Sequence, residues 1–204
     1  MSRRKRSRSK QAPKRKPDSR VAVSQQAAVG KEKARLARQL DWRGWSEGNW
    51  PYLVLALVSL LVFANAWPNS LAGDDVAFAN PERFQSIGLA ETSRFFTHDL
   101  WAVSGAESGL YRPLLLLSIW LDVKLFGDWV AAYHLVNLVL HLVATLLVFG
   151  FIRYLLRQVA SSEPFAGWGA FLAAILFAVH PVHAEAVNSI FNRSEIIVAI
   201  GTIA

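Results

Sequence analysis

The sequence contains no cysteine, and its first 41 residues contain no aromatic side chain. The absence of cysteine excludes disulfides and cysteine-ligated zinc, and it leaves no indication of a redox compartment. The absence of aromatic residues from the amino-terminal region removes the rings on which bases of a nucleic acid would stack. We therefore expect no nucleic-acid partner, although this region is strongly basic.

Basic residues become scarce after Trp50: fifteen of the 22 Lys and Arg residues precede it and only seven follow. Residues 1–43 combine low hydrophobicity with high charge, which is typical of disordered segments. We predict a disordered cytoplasmic tail there, because positive charge before a membrane span keeps that end in the cytoplasm. Binding of such a tail to anionic lipid headgroups is an alternative role.

Long apolar runs dominate the rest of the chain, and hydrophobic residues make up 53% of the total. This composition predicts an all-α integral membrane protein with several spans. The predicted spans are 50–67, 131–152, 165–179 and a fourth that begins at 196–204. Since nine residues cannot cross a bilayer, we expect a fragment of a longer protein.

The predicted topology places residues 68–130 in one large external loop, which carries eight Asp and Glu against four Lys and Arg. Within it, 113–126 is apolar but short and contains two charges, so we predict an interfacial helix. If this segment crossed the membrane instead, every later segment would invert. Arg153 and Arg157 would then lie outside, against the positive-inside rule.

Asp74 and Asp75 lie side by side soon after the first predicted span. Adjacent carboxylates can supply a general base or hold a metal ion, because one charge perturbs the other and the pair attracts cations. Aspartate before a helix is equally common as an N-cap. From these residues alone, both roles stay open.

Four polar residues of the second predicted span recur at i, i+3, i+7 and i+11: His134, Asn137, His141 and Thr145. This spacing places them on one narrow stripe of a helix. Polar groups at membrane depth need partners, so the stripe should face protein or water. Hydrogen bonding between helices is the simplest role for it.

Residues 180–195, "HPVHAEAVNSIFNRSE", form an external polar motif between the third and fourth predicted spans. A helix running on from Pro181 would place Glu185, Asn192 and Arg193 on one polar face. Arg193 could then hold a phosphate through charge-assisted hydrogen bonds. His180, His183 and Glu185 could be metal ligands, but His-x-x-His across a proline lacks the i, i+4 spacing of helical zinc sites. We therefore favour phosphate or sugar contact and predict no metal site.

Several ordered motifs resemble a known family: "DDVAFANP", "HDLW", "YRPL", "YHLVNLVLH" and "LFAVHPVHAEAV" followed by "RSE". Over residues 50–200 the chain is similar to the amino-terminal part of the transmembrane and tetratricopeptide repeat-containing O-mannosyltransferases and their bacterial relatives. That family uses polyprenyl-phosphate sugars and has the GT-C class of multi-span helical fold, with an acidic motif in the first external loop. A run of helical repeats follows in the family and is absent from these 204 residues.

The resemblance implies a membrane glycosyltransferase that moves a sugar, mannose in this family, from a lipid-linked donor to a hydroxyl acceptor outside the cytoplasm. Asp74 or Asp75 would be the base. Arg193 would meet the donor phosphate, with Arg112 as a further candidate, and His180, His183 and Glu185 would shape the pocket. No cofactor is implied beyond the donor substrate. The resemblance also implies a location in the inner membrane of a bacterium or the endoplasmic reticulum of a eukaryote. A non-catalytic membrane scaffold that binds partners is the alternative, with the same fold and no transfer.

Overall fold

The structure is a computed structural model that describes residues 48–101, 105, 109–159 and 163–204. The predicted basic tail, 1–43, lies outside the described residues. Every regular element within the described ranges is helical, which confirms the all-α class. The α-helices, in chain order, are α1 (Trp50–Val62), α2 (Asp74–Phe78), α3 (Pro81–Gln85), α4 (Pro113–Phe126), α5 (Val130–Val159), α6 (Glu163–Val179), α7 (His183–Asn188) and α8 (Arg193–Ile203). Two 3₁₀ helices, Ala64–Ala66 and Leu89–Phe96, complete the described secondary structure.

Helix α5 is the only described helix that is both long and apolar enough to cross a membrane. Its 30 residues continue to Val159, beyond the predicted end of the span at residue 152. At 1.5 Å per residue, such a helix is about 45 Å long, which exceeds the hydrocarbon thickness of a bilayer. Helices α1 and α6 are apolar but shorter, with 13 and 17 residues.

Helix α1 ends before its predicted last residue, whereas α6 ends at it. The predicted first span reached residue 67, but α1 ends at Val62 and a 3₁₀ turn follows over Ala64–Ala66. Such turns are common where an α-helix ends. Helix α6 ends at Val179, one residue before the restricted position that precedes Pro181.

Helix α6 packs closely on α5 through a row of small residues. Alanines recur at every fourth position of α6 and all are fully buried: Ala166, Ala170, Ala174 and Ala178. Small side chains let two helix backbones approach, which is a common means of association between membrane helices. A Cβ added to Gly169 would lie 2.8 Å from Leu156 Cδ1, so the two helices are in close contact there.

The region between α1 and α5 folds into a compact structure with its own apolar core. Phe84, Leu100, Leu115 and Ile119 are buried together, and Ile190 from the segment between α7 and α8 joins them. Pro113 occupies the first turn of α4, and Gly127, with φ of 59°, ends it in a conformation that disfavours other residues. The α4 helix thus has the bounds predicted for the interfacial segment.

Candidate functional site

The short helix α2 turns the two adjacent aspartates in different directions. Asp74 is exposed, whereas only 3% of the Asp75 surface is accessible. The ring of Phe78, at the end of α2, packs edge-on against Phe191 with 5.3 Å between ring centroids. This contact holds α2 against the segment that joins α7 to α8.

The carboxylate of Asp75 accepts three hydrogen bonds from that segment. Its Oδ1 accepts from the Phe191 N–H at 2.7 Å and from the Ser189 hydroxyl at 3.1 Å, and its Oδ2 accepts from the Ile190 N–H at 3.0 Å. Two of these bonds satisfy backbone N–H groups, those of Ile190 and Phe191, that belong to neither α7 nor α8. Since a buried N–H without an acceptor is strongly unfavourable, Asp75 stabilises the break between the two helices.

The prediction of one continuous helix from Pro181, with a single polar face, is therefore wrong. The chain leaves helical geometry at Ser189, whose ψ is 129°, and helix resumes only at Arg193. The break reorients the second half of the motif, so that Arg193 and Ile190 are both fully buried. Glu185 and Asn192 do stay together, since the Asn192 amide donates to Glu185 Oε1 at 3.0 Å.

Asn137 connects the same break to α5. Its Nδ2 donates to the carbonyl oxygens of Val187 at 3.1 Å and Ser189 at 2.9 Å, while its Oδ1 accepts from Arg193 Nε at 2.5 Å. Each hydrogen-bonding atom of this buried amide is occupied. The position of the motif relative to α5 is thus fixed by polar contacts as well as by packing.

Arg193 is fully buried, and each nitrogen of its guanidinium has a partner. Besides the bond to Asn137, Nη2 donates to the Tyr133 carbonyl oxygen at 3.0 Å, and Nη1 lies 2.5 Å from Asp122 Oδ2 and 3.3 Å from Ser118 Oγ. The guanidinium joins α4, α5 and α8. A donor phosphate could reach it only if this network opened.

Asp122 and Ser118 are partners of Arg193 that the sequence analysis did not identify. They are four residues apart on α4 and so share a face of that helix. Burial raises the pKa of Asp122 to about 6, with Arg193 opposing the rise. The available signal was Asp122 itself, because a carboxylate within an apolar helix usually has a buried basic partner.

Arg112 approaches the other side of the break. Its Nη1 donates to Ser194 Oγ at 3.0 Å, and its guanidinium carbon lies 5.1 Å from the centroid of the Phe191 ring. A cation at this distance from an aromatic face is attracted to it. Unlike Arg193, Arg112 is only partly buried, so it keeps access to solvent.

The four residues of the predicted polar stripe are all buried within the protein: His134, Asn137, His141 and Thr145. His141 Nε2 lies 3.2 Å from the Ala178 carbonyl oxygen, and the Thr145 hydroxyl donates to the His141 carbonyl oxygen at 2.9 Å. His134 has no hydrogen-bond partner for either ring nitrogen among the described residues. The stripe thus faces protein, in agreement with its spacing.

His180 and His183 continue from this stripe toward the surface. The His141 and His183 rings are 5.4 Å apart between centroids, and those of His183 and His180 are 6.0 Å apart. Burial lowers the pKa of His183, and His180 adds to the shift. His180 is exposed, and its Nδ1 accepts from the Val182 N–H at 3.2 Å. In the part of the chain that the structure describes, no three His, Asp or Glu residues form a group that could hold a metal ion.

A cleft of about 460 Å³ opens where the segment after α1 meets α7. Its lining is mostly polar: Asn69, Ser70, Ala72, Asp75, Glu185, Asn188 and Ser189. The Asn69 amide donates to Asn188 Oδ1 at 3.3 Å across it. The cleft brings together Asp75 and Glu185 from the two predicted motifs, whereas Asp74, Arg112, His180 and His183 do not line it. Asn188 belongs to the predicted polar motif, 180–195, whereas Asn69 was not identified from the sequence.

In the described ranges the protein is thus all-helical, with one helix suited to crossing a membrane. A polar cleft lies where the segment after α1 meets the junction of α7 and α8. Known proteins with a similar sequence are protein O-mannosyl-transferases. The chain is 32% identical to one from Caenorhabditis elegans over 79% of its length, 31% identical to TMTC4 of Mus musculus over 74%, and 37% identical to Tmtc3 of Drosophila melanogaster over 73%. The predicted resemblance to this family is thereby confirmed.

The matched region is a small part of those relatives. The chain spans 23%, 22% and 18% of their respective lengths. No family model matches the chain, and no solved structure matches it.

Proposed function

We propose that this chain is the amino-terminal part of a GT-C type membrane glycosyltransferase that transfers mannose from a polyprenyl-phosphate donor to a protein hydroxyl on the non-cytoplasmic side. The names of the similar proteins support the transferase activity, the sugar and the protein acceptor. The observation that carries the proposal for the site is the set of three hydrogen bonds from the 189–191 segment to Asp75. They join the acidic motif and the second motif at one cleft.

Exposed apolar stripes support a membrane environment for more than one helix. On α1, Leu53, Leu57 and Leu61 are 69%, 57% and 64% exposed, while the opposite face buries Leu55. On α6, Leu172 and Leu176 are 57% and 67% exposed. Contiguous leucine on a protein surface is unfavourable in water and favourable against lipid. We therefore place α1, α5 and α6 in the bilayer as spans, with α8 as the start of another.

We assign the two aspartates different roles. Both oxygens of Asp75 are already engaged by the protein, so we assign it to positioning the 189–191 segment. Asp74 is exposed, and no described residue forms a hydrogen bond or ion pair with its carboxylate. Its neighbours Ala72 and Asp75 line the cleft. Asp74 is therefore the candidate general base, whereas the sequence alone did not distinguish it from Asp75.

The proposed reaction breaks one bond and forms another at the anomeric carbon of the sugar. Asp74 accepts the proton of the acceptor hydroxyl as the hydroxyl oxygen bonds to the anomeric carbon. The bond from that carbon to the phosphate oxygen breaks, and its electron pair leaves with the polyprenyl phosphate. Positive charge near the departing phosphate stabilises this step. Arg112, partly exposed beside Ser194, is the candidate cation because Arg193 is enclosed.

The test uses the full-length protein, a polyprenyl-phosphate mannose donor and an acceptor polypeptide. Asp74→Asn should lower kcat by about 10²- to 10⁴-fold, the usual contribution of a general base, without loss of stability. Glu82→Gln is a matched control, since it removes another exposed carboxylate of the same loop from α3. If the wild type transfers mannose and Asp74→Asn is equally active, the assignment of the base is wrong. If the wild type transfers nothing, the scaffold alternative is favoured.

A further inference from the structure

A second cavity, separate from the cleft at Asp75, lies within the folded region between α1 and α5. Its volume is about 490 Å³, within the range that holds small ligands or a few amino acid residues. Ile87, Phe95 and Leu116 form its apolar part. The polar part comprises Arg83, Ser86, Glu91, Arg94, His98 and Asp99.

Half of the basic residues of the region 68–130 line this cavity. The region 68–130 contains four Lys and Arg residues against eight Asp and Glu, and two of the four, Arg83 and Arg94, line it. His98, also on the wall, is the only histidine of that region. Two of the scarce cations of an acidic region thus converge on one pocket.

The two carboxylates of the wall already have partners in the backbone. Glu91 Oε2 accepts from the Gly88 N–H at 2.8 Å, and Asp99 Oδ1 accepts from the Trp101 N–H at 2.7 Å. By contrast, Arg94 is exposed, and within the described ranges its guanidinium has no hydrogen-bond or ion-pair partner. The wall therefore offers the charged, planar guanidinium of Arg94, whose N–H groups match the geometry of a carboxylate.

An aromatic cluster links this cavity to the acidic motif. Trp101 follows the wall residue Asp99 by two positions, and its ring lies 5.6 Å from that of Phe78 and 6.1 Å from that of Phe191, between centroids. Phe78 belongs to α2, which carries Asp74. The cavity and the proposed base are thus built on the same folded unit.

We propose that this cavity binds an acidic side chain of the acceptor polypeptide, with Arg94 as the residue that pairs with its carboxylate. The inference rests on the proposed function, since it assumes that the acceptor is a polypeptide. Arg94 would determine specificity: it would select acceptors that carry Asp or Glu near the modified hydroxyl and take no part in the transfer itself.

The test measures binding and does not require transfer. Two fluorescein-labelled peptides, identical except for Glu or Gln near a central threonine, are titrated with the detergent-solubilised full-length protein, and fluorescence polarisation gives the Kd. We expect the wild type to bind the Glu peptide about tenfold more tightly, as for a charge-assisted pair. Arg94→Gln should abolish the preference, and Arg94→Glu should favour a Lys peptide. Arg157→Gln, which changes another exposed arginine on α5, should preserve the preference.

Equal binding of the two peptides by the wild type, including no binding of either, would overturn the proposal. So would an unchanged preference in Arg94→Gln. Because Asp74→Asn alters transfer and leaves the cavity intact, the same titration in that variant separates the two proposals. If the wild type transfers no mannose but keeps the Glu preference, the result would support the cavity proposal and count against the proposed reaction.

Discussion

Replacing Asp75 by Asn tests whether this residue is primarily an anchor for the break between α7 and α8. The side chains are nearly equal in size, so the change alters hydrogen bonding and charge with little effect on packing. Asp75 accepts bonds from Ser189, Ile190 and Phe191, and an amide can accept on its oxygen only.

The expected loss of stability follows from the hydrogen bonds that each carboxylate oxygen of Asp75 accepts. An amide oxygen at the Oδ1 position keeps the bonds from the Phe191 N–H and the Ser189 hydroxyl. Its NH₂ group then faces the N–H of Ile190, a residue with no exposed surface. A hydrogen bond to a charged group contributes about 1.5–3 kcal/mol, and a buried donor without an acceptor costs about 1–3 kcal/mol. We expect Asp75→Asn to lower the free energy of unfolding by about 2–4 kcal/mol.

Asp74→Asn is the matched control, because the same chemical change is made one residue earlier at an exposed position. We expect it to change the free energy of unfolding by less than about 0.5 kcal/mol. The assay is reversible unfolding of the full-length protein in mixed micelles, followed by tryptophan fluorescence. Equal stability of the Asp75→Asn variant and the wild type, or equal destabilisation by both substitutions, would refute the anchoring role.

Three further predictions concern packing and charge. Asp122→Asn should destabilise the protein by about 3–5 kcal/mol, because it leaves the buried Arg193 charge uncompensated. Replacing both Asp122 and Arg193 by Leu should recover most of this loss. Unfolding measurements in which the two losses simply add would contradict the ion pair. Ala174→Leu should cost about 1–3 kcal/mol by forcing α6 away from α5, and a variant with unchanged stability would argue against their close contact. Leu57→Arg should reduce membrane integration of α1, since a charge in the middle of a span costs about 2.5–3.5 kcal/mol in insertion assays. Efficient insertion of the variant would show that the exposed leucines of α1 do not face lipid.

Much of the helical architecture could be predicted from local sequence. The bounds of α4 coincide with the predicted 113–126, because Pro113 and Gly127 are strong local signals at its two ends. Helix α6 ends at Val179, where the predicted apolar segment also ends, and Pro181 lies two residues further on. The burial of the polar stripe on α5 also followed from spacing, since residues at i, i+3 and i+7 necessarily share a helix face.

The helix break at Ser189 could not be predicted in this way. Residues 183–195 have no proline or glycine, and a continuous helix satisfies local preferences as well as a broken one. The break is stabilised by Asp75, which lies 114 to 116 positions earlier in the chain. Hydrogen bonds over such a separation form only once the whole unit packs, so no local pattern reports them.

The sequence by itself determined which segments are apolar helices and which polar residues are grouped, because hydrophobic periodicity and helix-end signals act over a few residues. It also carried the resemblance to protein O-mannosyl-transferases. Only the tertiary structure decided that Asp75 anchors a turn while Asp74 stays exposed, and that Arg193 pairs with Asp122 and is closed to solvent. Adjacent or similar side chains acquire different environments when helices pack, since burial and the choice of partner depend on residues distant in the chain.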